Sequence, residues 1–177
     1  MDEQEIITLG NAASGAIFSA DKQYRYSLHR VWDYLGPTLV VIGLNPSTAT
    51  HEVDDPTIAK LTRMAKARGY GELIMLNLFA FRATDPKDMK KSAEPIGKFN
   101  DYFLVSRCNR VSKEDGRILL AWGNPGTLGN RDQQVTQMLT NDVIDSRHIL
   151  TLGRNKNMTP KHPLFLKDST PFQQYYR

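Results

Sequence analysis

Four short apolar runs separated by helical patterns constrain this chain more than any other feature. They lie at 38–43 (TLVVIG), 72–78 (ELIMLNL), 117–122 (RILLAW) and 148–152 (HILTL). Runs of that length with no polar alternation read as strands buried on both faces. Asp55-Pro56 reads as an N-cap with proline at the first helical position. Ile58, Leu61, Met64 and Ala65 then make one apolar stripe, and Gly69 is placed to end the helix. Phe99, Tyr102, Phe103 and Leu104 open a second helical segment. Asn130 and Gln133 have the spacing of a capping box ahead of Val135, Met138 and Leu139. Strand–helix–strand repetition predicts an α/β fold of three layers, α/β/α, around a central four-stranded parallel sheet. The stretch 24–32 (YRYSLHRVW) fits strand or helix. No repeat, low-complexity tract or linker interrupts the pattern, so residues 1–177 read as one domain.

The 177 residues, 40% hydrophobic and 24% charged, are enough for one buried core. No apolar run approaches a membrane span. The acidic start, Met1 to Glu5, is unlike a secretory signal, so a cytoplasmic monomer away from membranes is expected. Cys108 is the only cysteine, which excludes an intrachain disulfide and any four-cysteine zinc or iron–sulfur site. His29, His51, His148 and His162 show no metal-ligand spacing, so no metal and no cofactor are expected. The net charge is +4. From Arg147 onward the basic residues Arg147, Arg154, Lys156, Lys161, Lys167 and Arg177 face Asp168 alone, and a second basic cluster runs through Lys60, Arg63, Lys66 and Arg68. Such surfaces can hold phosphates or simply keep a protein soluble.

An open parallel sheet binds ligands outside the carboxyl ends of its strands. The residues following the four runs are therefore the candidate site. They are Gly43-Leu-Asn-Pro-Ser-Thr-Ala49, Asn77-Leu-Phe-Ala-Phe-Arg82, Trp122-Gly-Asn-Pro-Gly126, and Gly153-Arg-Asn-Lys156 leading on to His162-Pro-Leu-Phe-Leu166. Each has an ordinary structural use. Asn45 suits a helix cap, Asn77 a tie to a neighbouring loop, and His162 an exposed surface. Their convergence on one rim is what suggests a site.

These residues resemble motifs of the uracil-DNA-glycosylase superfamily. Gly43-Leu-Asn-Pro46 resembles its first motif, in the Gly-Ile-Asn-Pro form of the mismatch-specific branch. Asn77-Leu78 resembles the base-reading asparagine, Leu119-Leu-Ala-Trp-Gly123 the Leu-Leu-Trp-Gly strand, and His162-Pro163 the start of the His-Pro-Ser motif. The whole pattern, with Asp54-Asp-Pro-Thr57 and Asn77-Leu-Phe-Ala-Phe-Arg82, also resembles a bacterial and phage family, domain of unknown function 1643. Three departures stand out: Leu164 replaces the serine of His-Pro-Ser, Asn45 replaces the aspartate of the most active branch, and cluster-binding cysteines are lacking.

The resemblance implies a DNA glycosylase that extrudes a uracil, a mismatched pyrimidine or a hypermodified cytosine from single- or double-stranded DNA and hydrolyses its N-glycosidic bond. It implies that Asn77 reads the base edge, His162 donates a hydrogen bond to the departing base, and Asn45 positions water. Phe79 or Phe81 would stack on the base. Gly43, Leu44, Pro46, Ser47, Arg82, Trp122 and Gly123 would complete the base pocket. Leu164 or Phe165 would wedge into the duplex, and Arg154, Lys156 and Lys161 would hold phosphates. Two other readings use the same pocket: an enzyme acting on free nucleosides or nucleotides, and a nucleic-acid- or nucleotide-binding module of phage or defence origin without catalysis.

Overall fold

A computed structural model describes residues 5–141 and 144–176. Arg177 of the basic run and Met1 to Gln4 of the acidic start lie outside the described residues. The chain is α/β. It opens with β1 (Ile6–Gly10), β2 (Ser14–Ser19) and β3 (Arg25–Val31), then β4 (Thr38–Gly43) and α1 (Pro56–Lys66). β5 (Glu72–Asn77), α2 (Pro86–Lys91), α3 (Asn100–Lys113) and β6 (Arg117–Leu120) follow. A 3-10 segment leads into α4 (Arg131–Asn141), and the chain closes with β7 (Ile149–Thr151) and β8 (Gln173–Gln174).

The expected four-stranded parallel sheet is corrected to a mixed sheet of eight strands among the described residues, in the order β1-β2-β3-β5-β4-β6-β7-β8. The four apolar runs are the parallel members β5, β4, β6 and β7. An antiparallel meander, β1 to β3, covers the open edge of β5, and β8 covers that of β7. An uncovered edge would leave a row of unpaired N–H and C=O groups. Residues 24–32, open between strand and helix, hold β3.

Side chains alternate across β4, and the two faces fill differently. Leu39 and Val41 join Leu73, Met75 and Leu119 against the α1 stripe of Ile58, Leu61, Met64 and Ala65. Val40 and Ile42 join Ile74, Leu76, Ile118 and Leu120 against Leu104, Cys108 and Val111 of α3 and Val135 and Leu139 of α4. Burying an Ile, Leu or Met side chain of this kind contributes roughly 1.5–3 kcal/mol. Among the described residues no helix is long and apolar enough to cross a membrane.

α1 starts as its residues require. The Ile58 N–H donates to Asp55 Oδ1 at 2.9 Å, with Pro56 at the first helical position. Past the helix end, Gly69 takes φ +76°. The second helical segment is α3, whose buried stripe runs through Asn100, Phe103, Leu104, Cys108 and Val111 and leaves Tyr102 facing solvent (55% exposed). One local expectation is corrected. Asn130 makes no capping box: it occupies the left-handed region at φ +56°, and among the described residues no hydrogen bond joins its side chain to Gln133. The Gln133 N–H is instead taken by Asp132 Oδ1 at 2.9 Å.

Candidate functional site

The chain leaves β4 toward β5 and leaves β6 toward β7, on opposite sides of the sheet. Between the carboxyl ends of these neighbouring strands the connections diverge and open a crevice, the position where such sheets hold ligands. A cavity of about 860 Å³ lies there. Gly43, Leu44, Asn45 and Ser47 form its β4 side, and Trp122 and Gly123 its β6 side. Lys161, His162, Leu164 and Phe165 close it from the C-terminal segment.

Backbone ties fix these walls. The Gly123 N–H donates to the Pro160 carbonyl at 2.9 Å, and the Lys161 N–H to the Gly153 carbonyl at 2.9 Å. Gly123 (φ +73°) and Gly153 (φ +100°) hold backbone conformations that disfavour a side chain. Across the sheet the Leu78 and Phe79 N–H groups donate to the carbonyls of Gly43 (2.9 Å) and Leu44 (3.0 Å), locking the exit of β5 to that of β4.

His162 caps a 3-10 turn, Pro163–Phe165, whose Leu164 N–H donates to its Nδ1 at 3.3 Å. An accepting Nδ1 puts the proton of the neutral ring on Nε2. Burial lowers the ring's pKa and Asp55 opposes that shift. The result is a neutral imidazole with its proton on Nε2, in a residue that lines the cavity.

The two asparagines behave differently. Asn45 Nδ2 donates to the carbonyls of Ala83 (2.8 Å) and Pro46 (3.1 Å), tying two rim loops together. Asn77 does not line the cavity; it is 2% exposed and is the register partner of Gly43. Its Nδ2 donates to the Leu76 carbonyl at 2.8 Å, while its Oδ1 is buried without a partner. The carbonyls of Asn77 and Leu78 are held from below by Asn100 Nδ2, at 3.1 and 2.9 Å. Trp122 Nε1 is another buried group without a partner, and this residue does line the cavity.

Other candidates scatter. Pro46 is buried beside the cavity, and Phe79 is 2% exposed in the α3–α4 core. Phe81 and Arg82 line a smaller cavity of about 320 Å³ with Lys22. Arg154 stacks on Tyr175, 4.1 Å from the ring centroid, and donates to the Tyr175 and Met158 carbonyls. Lys156 is exposed away from the cavity wall. Leu164 and Phe165 are 40% and 87% exposed at the cavity mouth.

The second basic cluster mostly holds the chain's own C-terminal segment. Lys60 pairs with Asp168 at 3.4 Å and donates to the Leu166 carbonyl. Arg63 pairs with Asp168 at 3.0 Å. Arg68 donates to the Asp168 and Thr170 carbonyls and covers the Phe172 ring. Lys66 lies over Trp32. Among the described residues no group of three or more His, Cys, Asp or Glu side chains could hold a metal ion.

Two charged residues of the cavity were missed by sequence reasoning. Arg25 is 3% exposed, and burial lowers its pKa to about 10. Asp55, noticed only as a helix cap, lies close enough to act electrostatically on both Arg25 and His162. No sequence signal marks Arg25, whereas the Asp54-Asp-Pro-Thr57 stretch did mark Asp55.

No curated protein and no solved structure matches the chain. One family model does, described as protein of unknown function (DUF1643), over residues 25–164. That span runs from Arg25 at the start of β3, through both cavity walls, to Leu164 beyond His162. The chain belongs to the DUF1643 family.

Proposed function

We propose that this protein is a DNA glycosylase with a fold of the uracil-DNA-glycosylase type, acting on an extruded pyrimidine. The observation that carries the reading is the placement of neutral His162 in the cavity between the exits of β4 and β6. Breaking a base–sugar bond leaves negative charge on the departing base. A fixed donor in a site that excludes water stabilises that charge best. His162 supplies it through Nε2–H. Asn77 Oδ1, buried without a partner and outside the cavity lining, would meet a base edge only where the base reaches past Gly43, which has no side chain to block it. Asn45 carries its amide at the rim, where water would attack the sugar. Leu164 and Phe165 are exposed apolar side chains at the mouth, suited to fill a gap in stacked DNA. Phosphates fall to Lys161 and Lys156, because Arg154 is engaged by Tyr175. In this reading the protein works as a cytoplasmic monomer on DNA.

One observation favours a second reading. About 860 Å³ is far more than a pyrimidine ring fills and would suit a whole nucleotide, as in an enzyme acting on free nucleotides. The test is incubation with single- and double-stranded DNAs carrying uracil, mismatched and modified pyrimidines, scored by released base and alkali-labile breaks. A glycosylase gives both signals on one class of DNA. Turnover of free nucleotides with none of DNA would establish the second reading instead.

A further inference from the structure

The guanidinium of Arg25 is the most deeply buried charge on the cavity wall. Its placement depends on a β-bulge. Ile17 pairs with Ser27, but Phe18 pairs with Arg25, so Tyr26 is an extra residue in β3. The extra residue shifts the alternation and puts Arg25 on the face of Ala16, Phe18 and Leu28, the α1 side, where the cavity lies. Bulges beside binding sites commonly re-aim a side chain in this way. The only hydrogen bond from this side chain among the described residues runs from Nη1 to the Ala49 carbonyl at 3.0 Å. That contact ties the loop after β4 to the sheet and leaves the remaining N–H donors free. Asp55 acts on Arg25 through space without forming an ion pair, while Arg82 and Arg30 add like charge nearby. Arg30 is itself paired with Asp54 at 2.7 Å. A buried cation with no carboxylate in direct contact is costly unless something compensates it.

We propose that Arg25 is the phosphate-binding residue of this cavity, holding the phosphate of a nucleotide whose base lies toward His162. Planar guanidinium donors match two phosphate oxygens at once, which a carbonyl such as Ala49 does not. The inference rests on a nucleotide entering the cavity, and it does not require that the base be excised. The phosphate could belong to a free nucleotide or to a strand.

The test is calorimetric titration of the full chain with 2′-deoxyuridine, its 5′-monophosphate, inorganic phosphate and a trinucleotide containing the same base. Wild-type protein should bind the monophosphate or the trinucleotide roughly 10- to 100-fold more tightly than the nucleoside. Inorganic phosphate should compete. Preference for the monophosphate identifies a free nucleotide as the source, and preference for the trinucleotide identifies a strand. Arg25→Met should remove the preference while leaving nucleoside binding intact, and Arg25→Lys should keep part of it. Should Arg25→Met fail to fold, the Lys variant and phosphate competition against the wild type decide the matter. Equal binding of nucleoside and phosphorylated ligands by the wild type overturns the proposal, as does no binding of any of them or a preference undiminished in a folded variant. Phosphate-dependent binding without base release from DNA would sustain this inference while removing the glycosylase reading.

Discussion

Gly123 lies directly against His162: a Cβ built on Gly123 would sit 3.4 Å from the Cβ of His162. The glycine also holds φ +73°. Gly123→Ala should therefore strain the β6 exit by about 1–3 kcal/mol through its backbone, and because the new methyl would touch His162, a backbone shift that relieves the strain would carry the imidazole with it. Thermal melting measures the first effect. Base release should fall by more than the lost stability explains; an unchanged rate would separate His162 from the chemistry.

The imidazole of His162 should titrate below the ordinary histidine value, since burial disfavours its charged form. The sign of the stability effect follows. The unfolded chain takes up its proton first as pH falls, so this histidine's contribution is present above about pH 6.5 and is lost between there and the lower folded value. NMR titration of the ring and melting curves across that window check both points. In His162→Ala this component of the acid destabilisation should disappear.

Asp55 has two separable roles. It accepts from the Ile58 N–H as the α1 cap, and its charge acts on Arg25 and His162. Asp55→Ala should cost about 0.5–2 kcal/mol through the lost cap. Asp55→Asn keeps a good cap and removes the charge, so any stability lost reflects the weaker compensation of Arg25 rather than the cap, and the His162 pKa falls further. Equal destabilisation by both substitutions would contradict this division.

The fold was legible where local chemistry and tertiary packing agree. Asp55-Pro56 and the stripe from Ile58 to Ala65 mark α1 in sequence, and the same residues are the ones buried against the sheet. The β4 run reads as a strand because it is apolar throughout, as a position between two parallel neighbours demands. The meander was not legible: 24–32 mixes arginines, tyrosines and apolar residues, and its strand character comes from pairing with β2 and β5. Arg25 was invisible because the bulge at Tyr26, a property of two paired strands, decides which face it occupies. Lys60, Arg63 and Arg68 stay open in sequence between a phosphate surface and a solubilising one because their partners lie about a hundred residues away.

Asp168 anchors the segment that carries Leu164 and Phe165 by pairing with Lys60 and Arg63. Asp168 and Arg63 are substantially exposed although Lys60 is mostly buried, so Asp168→Asn should cost about 1 kcal/mol and less as salt rises. The larger effect should be on DNA affinity, because the apolar mouth residues lose their support. Chemical denaturation and salt-dependent DNA binding measure the two effects. A stability loss of several kcal/mol with unaltered binding would mean that the segment serves the fold alone.

Single-turnover base release from the preferred DNA, compared between wild type and His162→Ala, tests the central claim most directly. Removing one well-aimed donor of this kind costs about 100- to 1,000-fold in rate. Asn77→Ala should fall in the same range and Asn45→Ala should keep a measurable fraction, because the bond breaks largely before water attacks. The account predicts base release by the wild type, and a His162→Ala protein that melts normally, binds DNA and releases base at least about 100-fold more slowly. Wild-type rates in that variant, or no base released by the wild type from any DNA it binds, would contradict it.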